Sequence, residues 1–240
     1  MNFTAPELSE TANELRKEIN RFLSKQAKPD VLLGTHPTVA FASQLQRIAS
    51  WHVGRIESRL AGWINKVPNW TAKGGERFLI AGATYELDNL AWNSQLNIVL
   101  AVEAKRTWAN QDNRSKAEVK RKHRLYTDPR ATRIITSHVG QTGGDFRYFV
   151  FDVYGKTETG NNGLPIIAGH KISRVFDRTL ACYVEWERQI IANAMFEMID
   201  PRFQDLTRTQ HLENEILSGS YSEANTSRQS ILDYIDQHAR

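Results

Sequence analysis

A chain of 240 residues, 40% apolar and carrying six Trp, can bury one substantial core, which excludes a disordered polymer. Its single Cys rules out a disulfide framework within the chain and a four-Cys zinc site. The net charge of +4 is mild but uneven: Lys105 to Arg133 holds ten Lys/Arg against three acids, a local +7 that leaves the rest at −3.

Taken in order, Thr4-Ala5-Pro6-Glu7 is a capping box with proline in the first turn. It opens a helix whose apolar stripe is Leu8, Ala12, Leu15, Ile19, Phe22 and Leu23. Glu10, Glu14 and Glu18 lie on one flank as solvent-facing partners for nearby Arg and Lys. After a connector rich in Pro and Gly, a longer helix is expected from about Pro37 to Lys66. Glu57 stands one step beyond its apolar stripe.

Asn69 to Glu76, with Lys73-Gly74-Gly75, reads as a loop, and Arg77 to Ala81 as a first strand. Tyr85 to Trp92 alternates like a second strand, Asn93-Ser94-Gln95 supplies turn chemistry, and Asn97 to Val102 is an apolar third strand. That strand ends on charge. Glu103 and Lys105, two apart, share a face, as do Glu86 and Asp88 on the strand before. Several charges near the end of a central strand cost several kcal/mol each, roughly, unless something neutralises them. A divalent cation would do so.

Residues 107–114 form a polar loop, and Ser115 caps a basic helix that runs to about Tyr126 and stops at Asp128-Pro129. Thr132 to Val139 and Phe146 to Tyr154 read as two further strands. Gly155-Lys156-Thr157 lacks the earlier glycine of a phosphate-binding loop, since Val150 stands there. A long helix is expected over Ile172 to Met198, with Cys182 packed in its apolar run, and a polar tail follows. The expected division is an N-terminal helix and connector (1–36), a core with flanking helices (37–200) and the tail (201–240).

Asp88 followed after fourteen residues by Glu103-Ala104-Lys105, on a hairpin and before a basic helix, resembles the signature of the PD-(D/E)XK, or restriction-endonuclease-like, nuclease superfamily. Leu87 stands where the name-giving proline would be. The resemblance covers about Arg55 to Tyr154. It implies an α/β fold, an αβββαβ core with a central mixed sheet, here with N-terminal helices and a long C-terminal helix. It implies Mg²⁺ or Mn²⁺ held by Asp88, Glu103 and the carbonyl of Ala104, with Lys105 as the catalytic ammonium. Glu86 is a rival for the first acid. Glu57 would complete the metal site, or else pairs casually with Arg55 and Arg59.

The basic belt is the footprint of a polyanion, with Lys116, Lys120, Arg121 and Arg124 gripping phosphates. The expected activity is metal-dependent DNA endonuclease, possible as a homodimer that cuts both strands. The rivals are a catalytically inactive nucleic-acid-binding protein of the same fold, and a domain in which Glu103 and Lys105 are an ordinary ion pair. No His pair has zinc spacing and no nucleophile-elbow motif occurs. No apolar run reaches bilayer length and no signal peptide opens the chain, so the expected setting is cytoplasmic, with no membrane partner.

Overall fold

In a computed structural model, the described residues are 17, 59–155, 163–187 and 227–239. The chain divides into two compact units, residues 55–181 with 223–240 and residues 1–54 with 182–222. Apart from Lys17, the expected first helix, most of the second including Glu57, the end of the long C-terminal helix beyond 187 and most of the polar tail lie outside the described residues.

The first unit is α/β, built on five strands in the order of the sequence: β1 (Thr71–Ile80), β2 (Ala83–Asn93), β3 (Ile98–Lys105), β4 (Asp145–Asp152) and β5 (Ile166–Ala168). β1, β2 and β3 pair antiparallel, and β4 and β5 continue in parallel. The sheet is mixed. A parallel step from β3 to β4 needs a crossover, and two helices supply it, α1 (Asn113–Tyr126) and α2 (Pro129–His138).

The turn chemistry places the hairpin. Asn93 Oδ1 accepts from the N–H of Gln95 and of Leu96, both at 3.1 Å, and Asn97 takes a φ of 51° to re-enter the sheet. An Asn tolerates that left-handed conformation better than a branched residue would. β3 is then buried on both faces over Ile98–Ala104, as its apolar run requires.

The first strand begins earlier than expected. Residues 71–76, read as loop, pair with β2 as an edge strand whose exposed side chains hide its pattern. Asn65 ties its start at both backbone groups of one residue, accepting from Ala72 N at 2.7 Å and donating to Ala72 O at 3.0 Å. Helical residues 59–64 bury Leu60, Trp63 and Ile64.

A larger difference is α2, where a strand was expected over Thr132 to Val139. The β-branched Thr132, Ile134, Ile135 and Thr136 favour extended backbone, but the flanking signals are helical. Asp128 accepts from Arg130 N at 2.9 Å, Pro129 sits in the first turn, and Ala131 and Ile135 bury one side, four apart. Packing and capping outweigh local propensity here.

The expected long helix from Ile172 also begins later. Gly169–Arg174 is a 3₁₀ helix, and an α-helix resumes at 178 because Asp177 caps it, accepting from Thr179 N at 3.0 Å. Cys182 is buried, as expected.

Each sheet face has its cover. Val99, Ala101, Phe146, Tyr148 and Val150 pack with Val119 and Tyr126 of α1 and Ala131 and Ile135 of α2. On the opposite face of β4, Arg147 forms a two-pronged bond to Asp236 of α3 (Arg228–Gln237), at 2.7 and 2.9 Å, and Arg228 pairs with Asp145. Among the described residues, no helix is long and apolar enough to cross a membrane.

Candidate active site

The register decides which charges meet. β2 and β3 pair as far as Asn89 opposite Val102, so one step further sets Asp88 opposite Glu103. Lys105, two residues on, shares the face of Glu103 and lies beside Asp152 of β4. The ladder from β1 skips one step, running to Gly74 opposite Asn89 and resuming at Glu76 opposite Leu87. Gly75 fills that gap at a φ of 68°, a conformation glycine adopts at little cost. Asp88 therefore stands opposite Gly75, where the β1 ladder is interrupted and the pairing with β3 ends.

Five side chains meet around it. Lys105 Nζ lies 2.9 Å from Glu103 Oε1 and 3.5 Å from Asp88 Oδ2. Lys122 reaches down from α1 and donates to Asp88 Oδ1 at 3.2 Å and to Glu103 Oε1 and Oε2 at 3.2 and 3.0 Å. Tyr148 on β4 donates its hydroxyl to Glu103 Oε2 at 3.3 Å.

Glu103 is only 3% exposed, so water contributes little to its ionisation. Burial alone would raise its pKa, but the ammonium groups of Lys105 and Lys122 outweigh it and hold the carboxyl below its ordinary range. Lys122 is the mirror case: burial pulls its pKa down, and the charges of Glu103 and Asp88 more than restore it. Both are ionised at neutral pH. Burial first, then the nearby carboxylates, push the Tyr148 hydroxyl well above its usual value, so it stays protonated and can donate.

A second tier holds these groups in place. Tyr126 stacks on Tyr148 at 5.9 Å and donates to Glu86 O at 3.1 Å, while His123 leans on Tyr148 at 5.7 Å. Asp152, buried beside Lys105, accepts from Trp108 N at 3.0 Å and so anchors the loop leaving the motif strand. Gly155 lies flat against that carboxylate, where a Cβ would overlap it. The Lys105 and Arg106 carbonyls accept from Val153 N and Tyr154 N, both at 2.9 Å.

The structure thus brings Asp88, Glu103 and Lys105 together and separates Glu86, whose carboxylate turns out to Arg77 at 2.8 Å on the exposed side of the hairpin. Ala104 is buried, its side chain on the face opposite its two charged neighbours. Of the residues expected to grip phosphates, Arg121 makes two bonds to Glu118, at 2.7 and 3.1 Å, and lies over the ring of Tyr85. Lys116 bonds Ala109 O at 3.1 Å beside the Trp108 ring. Lys120 is half-buried and Arg124 exposed.

Among the described residues no group of three or more His, Cys, Asp and Glu is placed to hold a metal ion. Magnesium commonly takes one or two carboxylates and completes its shell with water and phosphate oxygens. Asp88 and Glu103 fit that donor set. The ammonium of Lys122 bonds both of them, so the point between the two acids already favours a cation.

Lys122 and Tyr148 are the members that motif reading misses. Lys122 lies three residues after Val119 and four before Tyr126, the two buried residues of α1, so helical spacing sets it on the inner face. Tyr148 sits among apolar residues, where an aromatic reads as core. The chain matches no family model, no curated protein and no solved structure.

Proposed function

We propose that the chain is a metal-dependent endonuclease that hydrolyses phosphodiester bonds in DNA, with the fold of the restriction-endonuclease-like superfamily. One observation carries this reading: Asp88 and Glu103, from different strands, present carboxylates to shared ammonium groups, one of them Lys105 of the motif. The mixed sheet, with β3 antiparallel to β2 and parallel to β4, supports it.

In this reading Asp88 and Glu103, with the carbonyl of Ala104, hold Mg²⁺ or Mn²⁺. Bound there, the ion supplies Lewis acidity, making water acidic enough to ionise near neutral pH and offsetting charge on the phosphate. Lys105 orients the attacking water or balances charge on the attacked phosphate. The water oxygen forms a bond to phosphorus as the bond to the 3′ oxygen breaks. That oxygen gains a proton, leaving a 3′-hydroxyl and a 5′-phosphate. Tyr148 keeps Glu103 in place by its hydroxyl, and the exposed basic side of α1 positions the strand without reading its sequence.

The test is direct. Purified protein is incubated with supercoiled plasmid and short duplexes, with Mg²⁺ or with EDTA, beside Asp88→Asn and Lys105→Ala. Cleavage that needs Mg²⁺ and disappears in both variants is expected. Cleavage that survives EDTA, or that both variants retain in full, ends the proposal.

One observation favours a non-cleaving nucleic-acid-binding protein instead. Two carboxylates facing two ammonium groups are already in charge balance, which a purely structural cluster would also achieve. Such a protein would bind DNA equally well with and without divalent ions.

A further inference from the structure

Charge counting at the site raises a question that the proposed activity leaves open. Asp88 and Glu103 contribute two negative charges that face two positive ones, Lys105 and Lys122, across contacts of 2.9 to 3.5 Å, and the Asp152 carboxylate, bonded by Trp108 N, stands beside Lys105. A divalent ion entering between two carboxylates that two ammonium groups already face gains little from Coulomb attraction. It gains much more if one ammonium leaves, because the carboxylates then carry net charge.

The two lysines are not equivalent candidates for leaving. Lys105 is fixed to the same strand as Glu103, and its carbonyl is bonded to Val153 N at 2.9 Å. Lys122 comes from a different element. It bonds Glu103 through both carboxylate oxygens while also reaching Asp88 Oδ1, so it spans the place that both acids share. It also belongs to the helix that carries Lys116, Lys120 and Arg124. An ammonium released from the acids would stay on that basic helix, next to any phosphate held there.

We infer that Lys122 is a built-in counter-cation, which holds the Asp88–Glu103 pair together before a divalent ion binds, yields its place to that ion, and then contacts a non-bridging oxygen of the DNA phosphate. This rests on the nuclease reading and adds a coupling to it. Metal alone binds weakly because it must displace Lys122. Metal and DNA bind together more tightly, because the displaced ammonium finds a new anion.

Mn²⁺ binding to the intact chain, followed by loss of the free Mn²⁺ spin-resonance signal, tests this without reference to cleavage. Lys122→Met should bind Mn²⁺ about tenfold more tightly than the unaltered protein, since the competing cation is gone. Lys122→Gln, which keeps a hydrogen-bond donor and so guards against loss of folding, should move the same way. Arg133→Gln removes an equal charge from exposed α2 and should leave the affinity within about twofold. Binding of a short duplex in Ca²⁺ should weaken severalfold in Lys122→Met, although its metal site is tighter. Equal Mn²⁺ affinity in the unaltered protein and Lys122→Met, with loss of binding in Asp88→Asn, would overturn the displacement and leave the metal site standing. Absence of Mn²⁺ binding from all the proteins would overturn both.

Discussion

Lys122 donates to both carboxylate oxygens of Glu103, at 3.2 and 3.0 Å, across the space between α1 and the central strand. A carboxylate this deeply buried depends on its partners for its charge. Glu103→Gln keeps the shape but leaves two ammonium groups to share the Asp88 carboxylate, and it should cost on the order of 3 kcal/mol. Urea unfolding in the absence of metal measures this, and a loss under about 0.5 kcal/mol would show that the cluster contributes nothing to the fold.

Lys105 faces the same acids from the strand itself. On the proposed mechanism Lys105→Ala should slow plasmid nicking in Mg²⁺ by about a hundredfold or more, the range for loss of a proton-handling or charge-balancing group. Its thermal unfolding should show the protein still folded. A nicking rate equal to that of the unaltered protein contradicts the assigned role.

How much of this was legible is uneven, for physical reasons. The hairpin and the convergence of Asp88, Glu103 and Lys105 could be read because strand alternation fixes faces, and two charges at the end of an apolar run break the pattern. α2 was not legible from its β-branched residues. Only Asp128-Pro129 announced it, and those residues serve equally well to end the preceding helix. Lys122 could be counted in a basic run but not singled out, because its role comes from the docking of α1 on the sheet.

His123, against the Tyr148 ring, gives a pH dependence of its own. Burial, and then the charge of Arg124, hold its pKa below the ordinary 6.5. The unfolded chain therefore takes up a proton first as pH falls. Stability from this group is complete above about pH 6.5 and declines as pH drops from there toward the lowered folded value. A His123 ring signal titrating below 6.5 by NMR, and a shallower acid decline of the melting temperature in His123→Phe, are the expected results.

On the proposed reading, phosphate contacts by α1 should show as salt dependence. With Ca²⁺ in place of Mg²⁺, Lys120→Glu/Arg124→Glu should weaken duplex binding uniformly across sequences. It should also flatten the plot of log affinity against log salt by about two units of slope. Identical slopes for the altered and unaltered proteins would remove these two residues from the interface.

Asp152 holds the loop after the motif through Trp108 N. Asp152→Ala leaves that buried N–H without its acceptor and should cost about 1–3 kcal/mol in chemical unfolding. Gly155→Ala, which presses a methyl group onto the same carboxylate, should also destabilise, by about 1–3 kcal/mol.

The clasp between Arg147 and Asp236 joins residues 89 positions apart, and Ile231, Leu232 and Ile235 are buried in the same terminal helix. The last described turns therefore behave as a keystone of the rear wall, holding β4 from the face opposite α1 and α2. Anyone shortening the protein for crystals, or fusing a reporter to its end, should expect a shortened version to clump in solution because its greasy underside is laid bare.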